Sequence, residues 1–274
     1  MPEIELNADM GEGYGVWALP SMLWAAELDR GGPLQPAADT PVPDVVQVMH
    51  AVSTINLACG FHGGDPLLMK RYIAEAKKAG CSVGAHPSYP DLAGFGLRYM
   101  DMTKEELMAC IQYQLAAVDG LLRMEGMELH HVKFHGALYN RAVKDPEVAA
   151  AAAEGVARYN PDLPLYGFPF SCLEDAANAI SLPFVREGFS DRAYHADGRL
   201  VDRRRPDAMV LDPKEVAARV IRMVQEGVVR SIEGADVRID PQTVCFHADT
   251  PPVIAFLEHS LGAMKAGGWS VAGR

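Results

Sequence analysis

The sequence lacks most of the features that mark secreted or membrane-spanning proteins. It has five cysteines, an odd number, and no Cys-x-x-Cys pair, so neither a disulfide framework nor a structural zinc site is indicated. No apolar run approaches the roughly 20 residues that span a bilayer. The first residues show neither the basic region nor the apolar core of a signal peptide. We therefore expect a cytoplasmic protein with no membrane contact.

Positive charge is also scarce. The chain carries 25 lysine and arginine residues against 36 aspartate and glutamate residues, a net charge of -11. An acidic surface repels phosphate backbones, so nucleic acid is not an expected partner. Gly11, Gly13 and Gly15 alternate, which is not the Gly-x-Gly-x-x-Gly spacing of a dinucleotide site.

Short apolar runs alternate along the chain with amphipathic segments of helical length. Strands are predicted at 3–8, 52–58, 81–85, 129–134, 163–168, 182–186 and 243–247. Helices are predicted at 18–29, 66–79, 104–124, 146–158, 172–179, 213–226 and 252–266. This alternation predicts right-handed βαβ units and a mainly parallel sheet. A chain of 274 residues fits one such α/β domain over 1–274.

Two segments interrupt the alternation. Residues 31–43 are rich in proline and are predicted to form a surface loop. Residues 187–211 form a long polar segment, longer than a compact domain usually leaves without a role. We expect this segment to serve as a lid or as a contact between subunits, which leaves a homo-oligomer open.

Polar residues stand at the ends of five of the apolar runs. Four of the nine histidines occupy such positions, and an aspartate ends a fifth run: His62, His86, His135, His247 and Asp9. The carboxyl ends of parallel strands lie at one edge, where barrel and open α/β enzymes build their active sites. The pattern therefore predicts an enzyme site. The other histidines, His50, His130, His131, His195 and His259, are predicted to have no role in it.

Several neighbours of these positions could carry chemistry. Asp9 and Glu12 flank a glycine turn and could act as a metal ligand and a general base. Lys133 alternates with His135, so both are expected to face the interior. A lysine there must be paired or have a shifted pKa, and it could polarise a substrate carbonyl. Cys59, close to His62, is a weak candidate nucleophile.

The remaining candidates have simpler alternatives. Arg98 could hold a carboxylate in a bidentate fork, but a surface ion pair explains it equally well. His247 with Asp249 could form an oriented imidazole, although Asp249 could instead cap the following helix.

Six blocks resemble the LamB/YcsF family, which is described as the A subunit of the bacterial ATP-dependent 5-oxoprolinase. They are LNADMGE (6–12), NLACGFH (56–62), GAHPSYPDL (84–92), GFG (94–96), HGALYN (135–140) and DRAY (191–194). The resemblance implies an irregular (β/α) barrel of about seven strands, similar to the polysaccharide deacetylases. It implies ATP-driven opening of the 5-oxoproline lactam to glutamate, with subunits B and C as partners that handle ATP.

For such a lactam opening, the placement of the candidate residues at strand ends suggests a role for each of them. Asp9 and His62 would activate water, His86 and His135 would surround the reacting carbon, and Lys133 would polarise the carbonyl oxygen. The expected substrate-binding residues are Glu12, Asn56, Arg98, Asp191, Arg192 and His247. The chain departs from the family pattern at Leu97, Phe134 and Ala248, where arginine, proline and glycine are expected, and this bears on the substrate.

Two other functions remain open from the sequence. One is a metal-dependent hydrolase of another cyclic amide or an N-acyl substrate, with Asp9, His62 and His86 as ligands of a divalent ion. Their spacing gives no support for or against it. The other is a protein that binds a small carboxylic acid for a partner without performing chemistry.

Overall fold

The computed structural model describes residues 1–13, 43–202, 205–248, 250 and 252–274. The helix predicted at 18–29 lies outside these residues, and so does the proline-rich loop except Pro43. Asp249, the proposed partner of His247, also lies outside them.

The described residues form ten strands and eight α-helices. The strands are β1 (Glu3–Met10), β2 (Thr54–Ala58), β3 (Ser82–His86), β4 (Leu129–Lys133), β5 (Leu165–Gly167), β6 (Phe184–Phe189), β7 (Val228–Arg230), β8 (Asp236–Arg238), β9 (Thr243–His247) and β10 (Ser270–Val271). The helices are α1 (Pro43–Ala51), α2 (Pro66–Ala79), α3 (Lys104–Met124), α4 (Gly136–Ala142), α5 (Pro146–Tyr159), α6 (Cys172–Ala179), α7 (Pro213–Glu226) and α8 (Val253–Ala266).

Seven of the strands close into a parallel barrel, as expected. The order is β1-β2-β3-β4-β5-β6-β9, and β9 returns to pair with β1. All seven strands predicted from the sequence are present, with ends shifted by at most three residues. The antiparallel pair β7–β8 lies outside the barrel. Strand β10 pairs in parallel with the first residues of β1. Within the described parts of the chain, no helix is long and apolar enough to cross a membrane.

Strand side chains alternate between the helices and the barrel interior. On β1, Leu6, Ala8 and Met10 pack in the hydrophobic core, whereas Asn7 and Asp9 make hydrogen bonds across the barrel. The apolar layer therefore lies between the strands and the helices, and the barrel interior is largely polar.

A hydrogen-bond network fills this interior. The Asn7 amide donates to Thr243 Oγ1 at 2.9 Å, and the Asn56 amide donates to Asn7 Oδ1 at 2.7 Å. His131 Nε2 donates to Asn56 Oδ1 at 2.5 Å, and its ring stacks on Tyr166 with centroids 3.9 Å apart. A buried polar group left without a partner costs about 1–3 kcal/mol, so each member holds its neighbours in place.

Gly84 on β3 makes room for this network. A Cβ at this position would collide with the His131 imidazole. Position 84 therefore requires a glycine, because the His131 imidazole from β4 occupies the space that a side chain would fill. The sequence motif that includes Gly84 is thus partly explained by packing.

The segment at 187–211 corrects the sequence prediction. Residues 187–189 complete β6, and 190–194 are buried. Arg192 and Tyr194 form isolated bridges with Met209 and Leu200. The first eight residues of the segment therefore belong to the barrel and its cover, because their polar side chains find buried partners. In the later part, the described residues alternate between exposed positions and the buried Val201, Ala208 and Val210.

Candidate active site

The carboxyl ends of the strands bring the predicted residues together. Asp9, His86 and His247 end or nearly end β1, β3 and β9, and His135 directly follows β4. Asp9 Oδ2 lies 3.6 Å from His86 Nε2 and 3.8 Å from His247 Nε2. All four side chains are buried. The alignment of strand ends that the sequence predicted is thus a real cluster.

Glu12 reaches the same cluster from the loop after β1. The backbone around it is fixed because Gly64 donates a 2.5 Å hydrogen bond to the Gly13 carbonyl. Glu12 Oε1 lies 3.1 Å from His135 Nδ1, 3.5 Å from His62 Nε2 and 3.8 Å from His86 Nε2. One carboxylate oxygen therefore faces three imidazoles.

Two of the imidazoles are oriented by backbone carbonyls. His86 Nδ1 donates to the Lys133 carbonyl at 2.8 Å, and His135 Nε2 donates to the Phe95 carbonyl at 2.9 Å. A carbonyl oxygen can only accept, so these contacts place the ring protons. In the neutral rings, His86 Nε2 and His135 Nδ1 consequently turn bare lone pairs towards the cluster.

His62 packs on this pair without a hydrogen bond. Its ring stacks on His135 with centroids 3.7 Å apart and planes 3° from parallel. Both ring nitrogens are buried, and neither has a hydrogen-bond partner among the described atoms. Burial and the neighbouring His135 lower the pKa of His62 to about 4. A buried neutral imidazole with unused nitrogens can accept a hydrogen bond or bind a ligand, whereas its lowered pKa opposes full protonation.

The carboxylates are held in their charged forms. Burial alone would raise the pKa of Asp9, but Lys133, His86 and His247 lower it below the ordinary value. Burial also opposes ionisation of Glu12, and contacts with His135 and His62 lower its pKa well below the usual range. Burial lowers the pKa of His86 to about 3. The site therefore combines ionised carboxylates with neutral His62 and His86.

Lys133 lies beneath Asp9 in the barrel. Its Nζ is 2.8 Å from Asp9 Oδ1, 2.8 Å from Glu187 Oε1 and 3.0 Å from Cys245 Sγ. Burial disfavours the ammonium, but Asp9, Cys245 and Glu187 raise its pKa well above the ordinary value. The ammonium donates hydrogen bonds to Asp9 and Cys245 and forms an ion pair with Glu187, so its partners lie within the barrel. The geometry favours positioning of Asp9 over the predicted polarisation of a substrate oxygen.

His247 has a buried partner that the sequence did not suggest. Its Nδ1 donates to Asp191 Oδ1 at 2.8 Å, and Thr250 Oγ1 donates to Asp191 Oδ2 at 3.2 Å. Asp191 is fully buried. The predicted substrate ligand Asp191 thus orients the imidazole that faces Asp9, the role that was considered for Asp249.

Other predicted substrate ligands are engaged within the protein. The Arg98 guanidinium pairs with Asp91 and its side chain is 67% exposed, the ion pair that was the simpler alternative. Arg192 is buried and donates to the Val201 carbonyl at 2.8 Å. The Asn56 amide donates to Asp9 Oδ1 at 2.7 Å, so Asn56 positions a carboxylate.

Sequence reasoning missed Glu187 and His131 as members of the interior network. Glu187 was placed in a polar loop, yet it is fully buried on β6, where burial raises its pKa. A lysine predicted inside a strand needs a partner, and that rule was the available signal for Glu187. Cys59, the weak nucleophile candidate, donates to the Leu57 carbonyl, and burial raises the pKa of its thiol.

The three departures from the family pattern lie in different surroundings. Leu97 is 52% exposed and adjoins Gly136, next to His135. Phe134 is buried in the hydrophobic core. Ala248 is half-buried directly after His247. Leu97 and Ala248 border the site, whereas the Phe134 side chain contributes to packing.

Among the residues that the structure describes, two groups of side chains could hold a metal ion. Glu12, His62, His86 and His135 each offer a ligand atom within 4.8 Å of the others, and Asp9, Cys245 and His247 form a second group. In the second group burial raises the pKa of the Cys245 thiol well above its usual range, which disfavours the thiolate that a metal needs. The first group is the better candidate, and it differs from the set predicted from the sequence.

Fold and site together define a closed parallel (β/α) barrel with a buried cluster of histidines and carboxylates at the carboxyl ends of its strands. The chain belongs to the LamB/YcsF family, whose model matches residues 41–273.

The chain has relatives along nearly its whole length. It is 41% identical over 270 residues to a Bordetella parapertussis protein named as the A subunit of 5-oxoprolinase, with 98% of each chain covered. A Chloroflexus aggregans protein of the same name is 41% identical with 96% of each covered. The crystal structure of a lactam utilization protein from Thermus thermophilus superposes with a TM-score of 0.84 at 38% identity, covering 98% of both chains.

Proposed function

We propose that this chain is the A subunit of an ATP-dependent 5-oxoprolinase that opens the lactam of 5-oxo-L-proline to L-glutamate. The observation that carries the proposal is the near-full-length similarity to proteins that bear this name. The buried cluster of Asp9, Glu12 and three histidines supports it, because such a cluster provides the proton acceptors that amide hydrolysis requires.

The chemistry explains why ATP is needed. A lactam is a poor electrophile, since its nitrogen lone pair delocalises into the carbonyl. Phosphorylation of the carbonyl oxygen by ATP forms an imidate that water can attack. The site must then supply a base for water and groups that stabilise the developing charge.

The geometry suggests how these roles are divided. Asp9 and His62 are proposed to activate water, because one is an ionised carboxylate and the other has buried ring nitrogens that make no hydrogen bond to a described atom. His86 and His135 are proposed to surround the reacting carbon. Lys133 is proposed to hold Asp9 charged and in place. For the substrate carboxylate we favour Arg98 over Arg192, because Arg98 is exposed and Arg192 is buried.

ATP is proposed to be handled by partner subunits. The sequence contains neither a Gly-x-x-x-x-Gly-Lys-Ser/Thr loop nor a Gly-x-Gly-x-x-Gly fingerprint. The relatives are named as one subunit of an enzyme, and such a name implies companions. We identify the companions as subunits B and C, which would form the imidate that this chain hydrolyses.

The test is reconstitution. The chain is mixed with subunits B and C, 5-oxoproline and ATP, and glutamate and ADP are measured. We expect equal amounts of both products, and no glutamate when this chain or ATP is omitted. Glutamate formation without this chain would contradict the proposal. Ligand binding with full activity in every variant of the cluster would instead favour a protein that only binds a small acid.

The arrangement of Glu12, His86 and His135 supports a second candidate, a metal-dependent amide hydrolase. Three N and O ligand atoms lie within 3.8 Å of one another, which is compatible with an ion that activates water. Hydrolysis of cyclic or N-acyl amides by the isolated chain without ATP, abolished by a chelator and restored by metal, would favour this function over ATP-dependent lactam opening.

A further inference from the structure

Two imidazole nitrogen atoms in the cluster face each other at hydrogen-bond distance. His86 Nε2 lies 3.2 Å from His135 Nδ1. The other nitrogen of each ring donates to a backbone carbonyl, so in the neutral rings both facing atoms carry lone pairs. Two lone pairs at hydrogen-bond distance repel each other unless a positive species lies between them.

The Glu12 carboxylate completes a triangle with these nitrogens. The three separations are 3.1 Å (Glu12 to His135), 3.2 Å (His135 to His86) and 3.8 Å (Glu12 to His86). Ligands about 2.0–2.1 Å from a tetrahedral zinc ion are separated by about 3.4 Å. The triangle therefore has the size of one face of such a coordination shell.

His62 does not fit the same shell. An imidazole binds a metal in the plane of its ring, and the His62 and His135 rings are parallel and stacked 3.7 Å apart. Two such planes cannot contain one ion. His86 and His135 are nearly perpendicular, at 82°, which allows both lone pairs to meet at a point. His62 is thus an adjacent base or hydrogen-bond partner for a ligand of the ion.

The local charge also favours a cation. The carboxylates of Asp9 and Glu12 both lie near the histidines. Lys133 is paired directly with Asp9 and not with Glu12. Glu187 shares that same ammonium. Buried negative charge without a counter-charge is costly, and a divalent ion at Glu12 would supply the counter-charge.

We propose that Glu12, His86 and His135 bind one divalent first-row transition ion of the zinc type, leaving at least one position open to water beside His62 and Asp9. Imidazole and carboxylate ligands suit such ions. The carbonyls of Lys133 and Phe95 act as the outer partners that orient the two imidazoles. This site does not depend on the proposed lactam opening, because ion binding is measured without substrate.

The competing occupant is a proton on His135. One proton on Nδ1 would serve either Glu12 or His86, whereas an ion would satisfy both and leave an open position for His62. Metal content and spectroscopy distinguish the two.

The experiment uses the full chain purified without chelator. Metal is counted by mass spectrometry, and the chelator-treated protein is titrated with Zn²⁺ and with Co²⁺ at pH 8. We expect one ion per chain, and visible Co²⁺ bands typical of a four- or five-coordinate site. Absence of saturable binding at one equivalent would overturn the proposal and favour the proton.

Matched variants locate the ligands. Glu12→Gln and His135→Ala should each weaken Co²⁺ binding at least about 100-fold, the upper end of what loss of an outer partner costs. His62→Ala should weaken it less than about tenfold, and His259→Ala, which removes an exposed histidine on α8, should not change it. Equal losses in His62→Ala and His135→Ala would overturn the three-ligand assignment. Circular dichroism of the chelated variants checks folding, and His135→Gln replaces His135→Ala if the latter unfolds.

Discussion

Lys133 and Asp9 form a buried ion pair, with Nζ 2.8 Å from Oδ1, at the point where the barrel interior meets the site. Lys133→Met would leave Asp9 and Glu187 buried without their shared cation. We expect the free energy of unfolding at pH 7 to fall by about 3–5 kcal/mol. Urea denaturation measures the change.

Two further measurements distinguish an electrostatic cause of this lost stability from a loss of packing: its pH dependence and the effect of a second substitution. Without Lys133 the folded-state pKa values of the two carboxyls should lie above their unfolded values, so the deficit should shrink as pH falls. Lys133→Met combined with Glu187→Gln should recover part of the loss. A deficit that is independent of pH and unchanged in the double variant would contradict the electrostatic explanation.

Asp9→Asn tests the proposed base. The amide cannot accept a proton from water, so kcat of the reconstituted enzyme should fall about 100-fold or more. Asp162→Asn, a change at an exposed turn, serves as the control and should leave kcat unaltered. If Asp9→Asn and His135→Ala both stay within about threefold of the parent, a barrier change below roughly 1 kcal/mol, the roles assigned to this cluster are wrong.

Asp191→Asn tests the orientation of His247. An asparagine in this place would present either an oxygen or an N–H to the imidazole, and the ring would lose its fixed tautomer. We expect kcat to fall about 10–100-fold, as for other outer-partner substitutions. Thr250→Val removes the other hydrogen bond to the same carboxylate and should cost much less activity. Similar losses in both variants would point to general disruption.

His131 should make stability depend on pH. Burial and the neighbouring His130 lower its folded-state pKa well below 6.5, so the unfolded chain binds one more proton as pH falls below 6.5. Its contribution is therefore fully present above pH 6.5 and is lost on acidification, by up to about 1.4 kcal/mol per pH unit. Unfolding free energies of wild type and His131→Gln between pH 5 and 7, measured with chelator present, should differ in slope by this amount. Parallel curves would contradict it.

The sequence predicted the barrel well because its signals are local. Each strand was marked by an apolar run and each major helix by its periodicity. The helices Pro43–Ala51 and Gly136–Ala142, the pair β7–β8 and strand β10 were missed, since they are short and lack a strong pattern. Strand ends also predicted which histidines meet, because parallel strands align their carboxyl ends by construction.

The partners of these residues were harder to predict. Asp191 and His247 are 56 positions apart, and no local pattern links them. The need of Lys133 for a buried partner was recognised, but Glu187 was placed in a long polar segment, so the pair was not predicted. Polar residues at every second position of β1, Glu5, Asn7 and Asp9, did carry a readable signal that the barrel interior is polar.

The polar interior limits which amino-acid substitutions the barrel can accept independently of one another. Asp9 is held by Asn56, Asn56 by Asn7 and His131, and Asn7 by Thr243. The Asp9 carboxylate is therefore connected by continuous hydrogen bonds, with no apolar layer between, to the residues that hold neighbouring strands together. A mutation deep in the barrel should therefore alter catalysis and stability together, and neutral drift at one interior position should require a compensating change at another.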